Sequence, residues 1–192
     1  MSNIHYPHLF ANFRNYLKFL FPQSLSYIIN GDLYVKIPSS KLFQFSTFLN
    51  LHSNAQYKVL TDICAIDFPW KKKRFQVFYN LLSIRFGSRI NVFVEVDEQT
   101  SIKSVFPIFK VAGWFEREVW DMFGIYFTDN PDLRRILTDY GFKGHPLRKD
   151  FPMSGYTEVR YFHNEKRILV EEVSLTQDYR TFYFNNSWHI NI

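Results

Sequence analysis

Three apolar runs between Tyr57 and Val96 fix the framework of this chain. Tyr57 to Phe68 alternates apolar and polar residues. Phe75 to Phe86 is apolar on both faces, and Ile90, Val92, Val94 and Val96 alternate with Arg89, Asn91, Phe93 and Glu95. A period of two is the pattern of a strand with one buried face. Pro69 to Arg74 and Gly87-Ser88 break the runs as turns do, so the three strands are predicted to form an antiparallel meander.

The flanking segments read as helices and one more strand. Leu9, Phe13, Leu17 and Leu20 recur at helical spacing, predicting a helix from about Pro7 to Phe21 that stops at Pro22. Tyr27 to Ile37 reads as a strand, with Asn30-Gly31-Asp32 marking a turn or bulge within it. Pro38-Ser39-Ser40 opens a second helix, Lys41 to Leu51, with Leu42, Phe45, Phe48 and Leu49 on one face. Ser101 to Phe109 reads as a short connecting helix ended around Pro107. The expected class is α+β: a mainly antiparallel sheet with helices packed on one side, spanning residues 1–128. An extended C-terminal arm, residues 129–192, follows. It carries a hairpin, Tyr156 to Phe162 and Arg167 to Leu175, turning at His163 to Lys166.

Gly113 to Pro152 is the stretch least able to complete itself. Phe115 to Gly124 predicts a helix with Met122, Phe115, Val119, Phe123 and Trp120 on one arc and Arg117, Asp121 and Glu118 opposite. Glu116 falls inside the apolar arc, in the first turn, where a helix-end carboxylate accepts backbone N–H groups or pairs with an arginine. Asn130-Pro131-Asp132 has the chemistry of a helix start, with room for a turn or two over Leu133 to Leu137. Gly144 to Pro152 has no periodicity, and long irregular segments of compact domains are commonly functional or interfacial.

Charge and cysteine usage exclude most chemistries. The net charge is +5, yet residues 129–192 carry nine basic and nine acidic side chains. A neutral, charge-rich surface suits paired ions across a protein interface better than phosphate neutralisation. One cysteine, Cys64, excludes an intramolecular disulfide and any iron–sulfur or zinc site built from several thiolates of this chain alone. The six histidines are scattered, and no nucleotide loop, nucleophile elbow or HExxH motif occurs. No run reaches the ~18–20 apolar residues that span a bilayer. The Lys71 to Arg74 run is the one candidate patch for nucleic acid or anionic lipid, and reads as solvated like charge at a hairpin tip.

One family matches these residues. Glu116-Arg117-Glu118, Trp120 to Ile125, Pro131 to Phe142 and Gly144 to Pro152 closely resemble the signature of the 30 kDa subunit of respiratory complex I, the proton-pumping NADH:ubiquinone oxidoreductase. Leu60 to Ile63, Asp67, the Arg74 to Arg85 strand, Gly155-Tyr156 and Glu158 to Tyr161 also look like that family. Asn130 departs from it, standing where the family usually has His before Pro-Asp.

The resemblance implies a non-catalytic structural and assembly subunit that supports electron transfer from NADH to ubiquinone. It implies no cofactor on this chain, the flavin and iron–sulfur clusters being carried by other subunits. The implied partners are other hydrophilic-arm subunits, chiefly those flanking the quinone end of the iron–sulfur chain. The implied location is the matrix side of the mitochondrial inner membrane, with composition and the absence of a persuasive presequence favouring a mitochondrially encoded form. Arg134, Arg135, His145, Arg148 and Asp150, with Tyr183 and Trp188 of the aromatic tail, are then the candidate interface residues, aromatics and arginine being favoured anchors. The alternative from another class is a basic organellar RNA-binding or ribosomal protein, favoured by a pI near 9.2 and opposed by the neutral C-terminal third. A hydrolase built on His145 and Asp150 lacks a nucleophile or metal set.

Overall fold

The period-two runs become the centre of one five-stranded sheet, ordered β1-β2-β5-β4-β3. The computed structural model describes residues 7–180 and 182. Its sheet comprises β1 (Leu25–Ile29), β2 (Asp32–Lys36), β3 (Val59–Asp67), β4 (Phe75–Ser83) and β5 (Ser88–Val96). β3, β4 and β5 form the antiparallel meander. The pairing of β2 with β5 is parallel, so the sheet is mixed.

Register explains why one face is buried. Val35, Val92, Tyr79 and Ile63 share a row, and Leu33, Ile90, Leu81 and Leu60 share the next. All eight are buried. Helices α1 (Pro7–Leu20), α2 (Leu42–Leu51) and α3 (Ala112–Phe123) add Leu17, then Leu42, Phe45 and Leu49, then Ala112, Val119 and Phe123 to the same core. Each of these side chains other than Ala112 contributes roughly 1.5–3 kcal/mol by leaving water.

Three local expectations are corrected. Tyr27 to Ile37 is not one strand but the end of β1, the turn and the second strand of a β1–β2 hairpin. Asn30 (φ 51) and Gly31 (φ 89) both take left-handed backbone, the requirement of a tight two-residue hairpin turn. Ser101 to Phe109 is not a helix. Ile102–Lys103 forms β6, paired in parallel with β7 (Phe127–Thr128), because the backbone there finds carbonyl partners on the later segment. Residues 131–137 form no helix either, for a reason given below. β4 stops at Ser83, short of Phe86, and its second face is half-buried, with Phe78 stacked on Phe93 at 5.2 Å.

The chain divides into two compact units, breaking between Asp150 and Phe151. Residues 129–150 thus belong to the first unit, C-terminal to the boundary expected at Thr128. The second unit contains the hairpin of β8 (Thr157–Phe162) and β9 (Arg167–Glu172), antiparallel. No helix among the described residues is long and apolar enough to cross a membrane.

Candidate functional site

Three acidic side chains, all buried, organise the segment around α3. The first is Glu116, fully buried on α3. Its carboxylate accepts hydrogen bonds from Ser104 Oγ at 2.6 Å, the Val105 N–H at 2.8 Å and Asn130 Nδ2 at 2.7 Å. Among the described residues no arginine pairs with it. Burial raises its pKa, and the three hydrogen bonds oppose but do not cancel that rise. Asn130 serves twice, since its Oδ1 also accepts the Asp132 N–H at 3.0 Å. The residue that departs from the family pattern is therefore a direct partner of the buried glutamate.

The second is Asp121, expected on the polar outer face of α3 and found fully buried. Its Oδ2 accepts the consecutive N–H groups of Ile136, Leu137 and Thr138 at 3.1, 2.7 and 2.9 Å. Its Oδ1 accepts the Thr138 hydroxyl at 2.7 Å. Burial opposes ionisation here, but these donors outweigh it and hold the carboxyl below its usual range. They also explain the missing helix: amides that a helix directs at carbonyls are spent on a carboxylate. Arg117, on the same face, is 7% exposed. It donates from Nε to the Gly113 carbonyl at 3.0 Å and lies over the Trp114 ring at 4.1 Å.

The third is Asp67, at the end of β3. Arg74 grips it with two hydrogen bonds, 2.6 and 2.8 Å, and the Lys149 N–H donates to it at 2.8 Å. Arg74 also pairs with Asp150 at 3.0 Å and with Glu98. Burial opposes ionisation of Asp67, but Arg74 and the Lys149 amide hold its carboxyl low, while Arg74 itself is raised chiefly by Asp67. The basic run at the β3–β4 turn is therefore not uniform. Lys71, Lys72 and Lys73 are exposed, and Arg74 is a structural cation.

Between these anchors the segment 144–148 closes on the end of α3. His145 Nδ1 faces the Asp121 carbonyl at 3.0 Å, which fixes Nδ1 as the protonated nitrogen. Burial pushes its pKa down, and Arg148 and Arg135 add to that. Arg148 Nε donates to the Phe123 carbonyl at 2.6 Å, capping the helix end. Gly124 lies beneath them with φ 75, and a Cβ there would meet His145 Nε2 at 2.5 Å and Arg148 Nη2 at 2.7 Å.

The candidate interface residues therefore separate. Arg135 donates to the Gly144 carbonyl at 2.8 Å and lies 3.7 Å from Asp121. Arg148 and His145 are engaged at the end of α3, and Asp150 pairs with Arg74. Arg134 pairs with Asp132 at 3.2 Å on the surface. His145 and Asp150 go to different partners and form no catalytic pair. Tyr183 and Trp188 lie outside the described residues. Asp121 and Asp67 escaped sequence reasoning as functional residues. Besides their place in the family-like stretches, the local hint was an acid flanked by large apolar residues, Trp120-Asp121-Met122 and Ile66-Asp67-Phe68.

The second unit presents a different surface. Register places Val159 opposite Val170 and Tyr161 opposite Ile168 on one face of the β8–β9 hairpin. All four are between 58% and 68% exposed. Among the described residues no three His, Cys, Asp or Glu side chains converge as a metal site.

Comparison with known proteins agrees with this geometry. The family described as "Respiratory-chain NADH dehydrogenase, 30 Kd subunit" matches residues 35–157. "NADH-ubiquinone oxidoreductase subunit 9" of Reclinomonas americana is 52% identical over 171 residues, covering 88% of this chain and 84% of that protein. "NADH dehydrogenase [ubiquinone] iron-sulfur protein 3" of Arabidopsis thaliana is 58% identical over 147 residues, 77% of each chain. Among solved structures, a chain of the membrane-bound sulfane sulfur reductase, an archaeal respiratory membrane complex, superposes with a TM-score of 0.65. It has 24% identity, covers 76% of this chain and 86% of that one, and shows the fold alone. The match across both the sheet and the clamped segment is decisive: this chain belongs to the 30 kDa subunit family of respiratory-chain NADH dehydrogenase.

Proposed function

We propose that this chain is a non-catalytic structural subunit of the hydrophilic arm of complex I, on the matrix side of the mitochondrial inner membrane. In this reading it docks against the subunits that flank the quinone end of the iron–sulfur chain. The observation that carries it is the β8–β9 hairpin, whose four apolar side chains face solvent. An isolated two-stranded hairpin is marginal in water, and an apolar face of this kind marks a protein-binding surface.

The donor set supports the non-catalytic part. Relatives carry the name iron-sulfur protein, but the residues here do not fit a cluster, which takes about four thiolates. Cys64 is the one thiol, and it is exposed on β3. The buried carboxylates Asp67, Glu116 and Asp121 are all occupied by internal donors. Nothing in the family match favours the RNA-binding alternative.

Native gel electrophoresis of respiratory membranes tests the proposal. The chain is expected to comigrate with NADH dehydrogenase activity, and the isolated chain to oxidise no NADH. Migration apart from that activity, or turnover by the isolated chain, would sink it.

A further inference from the structure

Segment 144–148 is held to the end of α3 by backbone and side-chain contacts together. The Leu147 N–H donates to the Met122 carbonyl at 3.1 Å, and the Arg148 N–H donates to the His145 carbonyl at 3.2 Å. His145 Nδ1 on the Asp121 carbonyl and Arg148 Nε on the Phe123 carbonyl complete the attachment. A backbone carbonyl only accepts, so Nδ1 carries the proton of the neutral ring and Nε2 carries its lone pair.

The surroundings of Nε2 favour that neutral ring. Nε2 and Arg148 Nη2 both lie within 2.7 Å of the point where a Cβ on Gly124 would stand, so lone pair and guanidinium are close neighbours. A proton on Nε2 would set cation against cation there. Arg135 adds positive charge from the residues before the segment, and the Asp121 carboxylate on α3 opposes both. That carboxylate is already taken by the amides of residues 136–138 and by Arg135 at 3.7 Å. Glu98, from the connection after β5, pairs with Arg148 at 3.9 Å rather than with the ring. Trp120 packs against the ring with centroids 5.8 Å apart. Burial and the two guanidinium groups thus act in one direction, against a charged imidazole.

We propose that His145 is a proton-sensitive latch: a proton arriving at Nε2 breaks the fit beside Arg148 and Gly124, and segment 144–148 leaves the end of α3 while residues 136–138 stay on Asp121. Released, the ring takes a proton at its ordinary value near ~6.5. Latched, it does so only at lower pH. The latch therefore contributes fully above the ordinary value, and its opening equilibrium grows about tenfold per pH unit below it until the latched value is reached. Asp67, Asp121 and Asp150 do not imitate this, since all three are held below the usual carboxylate range. Glu116, raised by burial, acts with the opposite sign. The latch does not depend on how the chain docks.

Amide hydrogen exchange of the full chain between about pH 7.5 and 5 tests it. Corrected for intrinsic exchange, protection at Leu147 and Arg148 is expected to fall by about tenfold or more as the pH drops. The amides of Ile136, Leu137, Thr138 and β5 should keep theirs. His145→Asn keeps an N–H for the Asp121 carbonyl but takes no proton, and is expected to abolish the fall. Arg148→Gln is expected to shrink it by roughly threefold or more, whatever it does to the baseline. Protection indifferent to pH, a fall retained in His145→Asn, or an equal loss at residues 136–138 and β5 overturns the latch. If His145→Asn is already open at the upper pH, the ring-carbon shifts of His145 in the parent decide. A midpoint below the ordinary value that rises in Arg148→Gln upholds the latch, and any other pair of midpoints overturns it. Comigration with NADH dehydrogenase activity tests the subunit reading separately, and that reading stands or falls on its own result.

Discussion

Asp121 and Thr138 meet through two hydrogen bonds, backbone N–H to Oδ2 at 2.9 Å and hydroxyl to Oδ1 at 2.7 Å. That contact, with the Ile136 and Leu137 amides beside it, fastens an irregular chain to α3. Replacing Asp121 with Asn keeps the shape but turns an NH2 towards donors. We expect Asp121→Asn to lower unfolding stability by roughly 2–3 kcal/mol and to speed amide exchange at residues 136–138. Unchanged exchange there would show that the carboxylate does not hold the segment.

The buried acids predict opposite pH dependences. Asp67 and Asp121 have depressed folded pKa values. Their contribution is present above the ordinary value, near ~4, and is lost as pH falls through the depressed values. Glu116 is raised, so its contribution is present below its ordinary value and lost as pH rises through the raised one. Thermal melts from about pH 3 to 8 should show a shallower acid limb for Asp121→Asn. Glu116→Gln should instead remove a decline on the rising-pH side. Parallel curves for all three proteins would contradict both signs.

Gly124 and Gly141 separate backbone strain from crowding. Both have φ above +70°, at 75 and 72. A Cβ at Gly141 meets nothing within 4 Å, while one at Gly124 meets His145 and Arg148 below 3 Å. Gly141→Ala is expected to cost about 1 kcal/mol, the left-handed penalty alone. Gly124→Ala is expected to cost about 3 kcal/mol or more and to release His145 from α3. Chemical denaturation of the two variants measures the difference, and equal losses would refute the close packing of His145 on the helix end.

Arg74 is the cation on which Asp67 depends. Removing it by Arg74→Ala leaves a buried carboxylate with the Lys149 amide as its remaining donor. We expect a loss of about 3–5 kcal/mol. Arg74→Lys, which keeps the charge but not the two-pronged geometry, should recover part of it. Equal stability of the lysine variant and the parent would show that charge alone suffices.

The sheet was legible because its signal is local. Alternation over 90–96 survives in one strand, and register follows from which residues must be buried together. The segment 129–150 was illegible for the opposite reason. Asn130-Pro131-Asp132 has good helix-start chemistry, but Asp121, a carboxylate 15 to 17 residues before the amides it binds, takes the N–H groups a helix needs. The helical wheel misplaced Asp121 and Arg117 on the solvent face because it counts neighbours on one helix and not the chain that later covers it. Glu116 was found as the one acid on the apolar arc. Its partners lie on two other segments, Ser104-Val105 and Asn130, which no spacing rule connects. The arginines expected to reach outwards, Arg135 and Arg148, are largely used at home.

The central claim, that this chain docks through an uncovered apolar surface, is tested most directly on the β8–β9 hairpin. Val159→Glu with Ile168→Glu places two charges on its exposed apolar face and removes nothing from the core of the first unit. Native gel electrophoresis of membranes carrying this variant should show the NADH dehydrogenase band without the chain, or a smaller assembly, while the soluble variant melts within about 1 °C of the parent. Comigration of the variant with full NADH dehydrogenase activity, at parental abundance, would contradict the account.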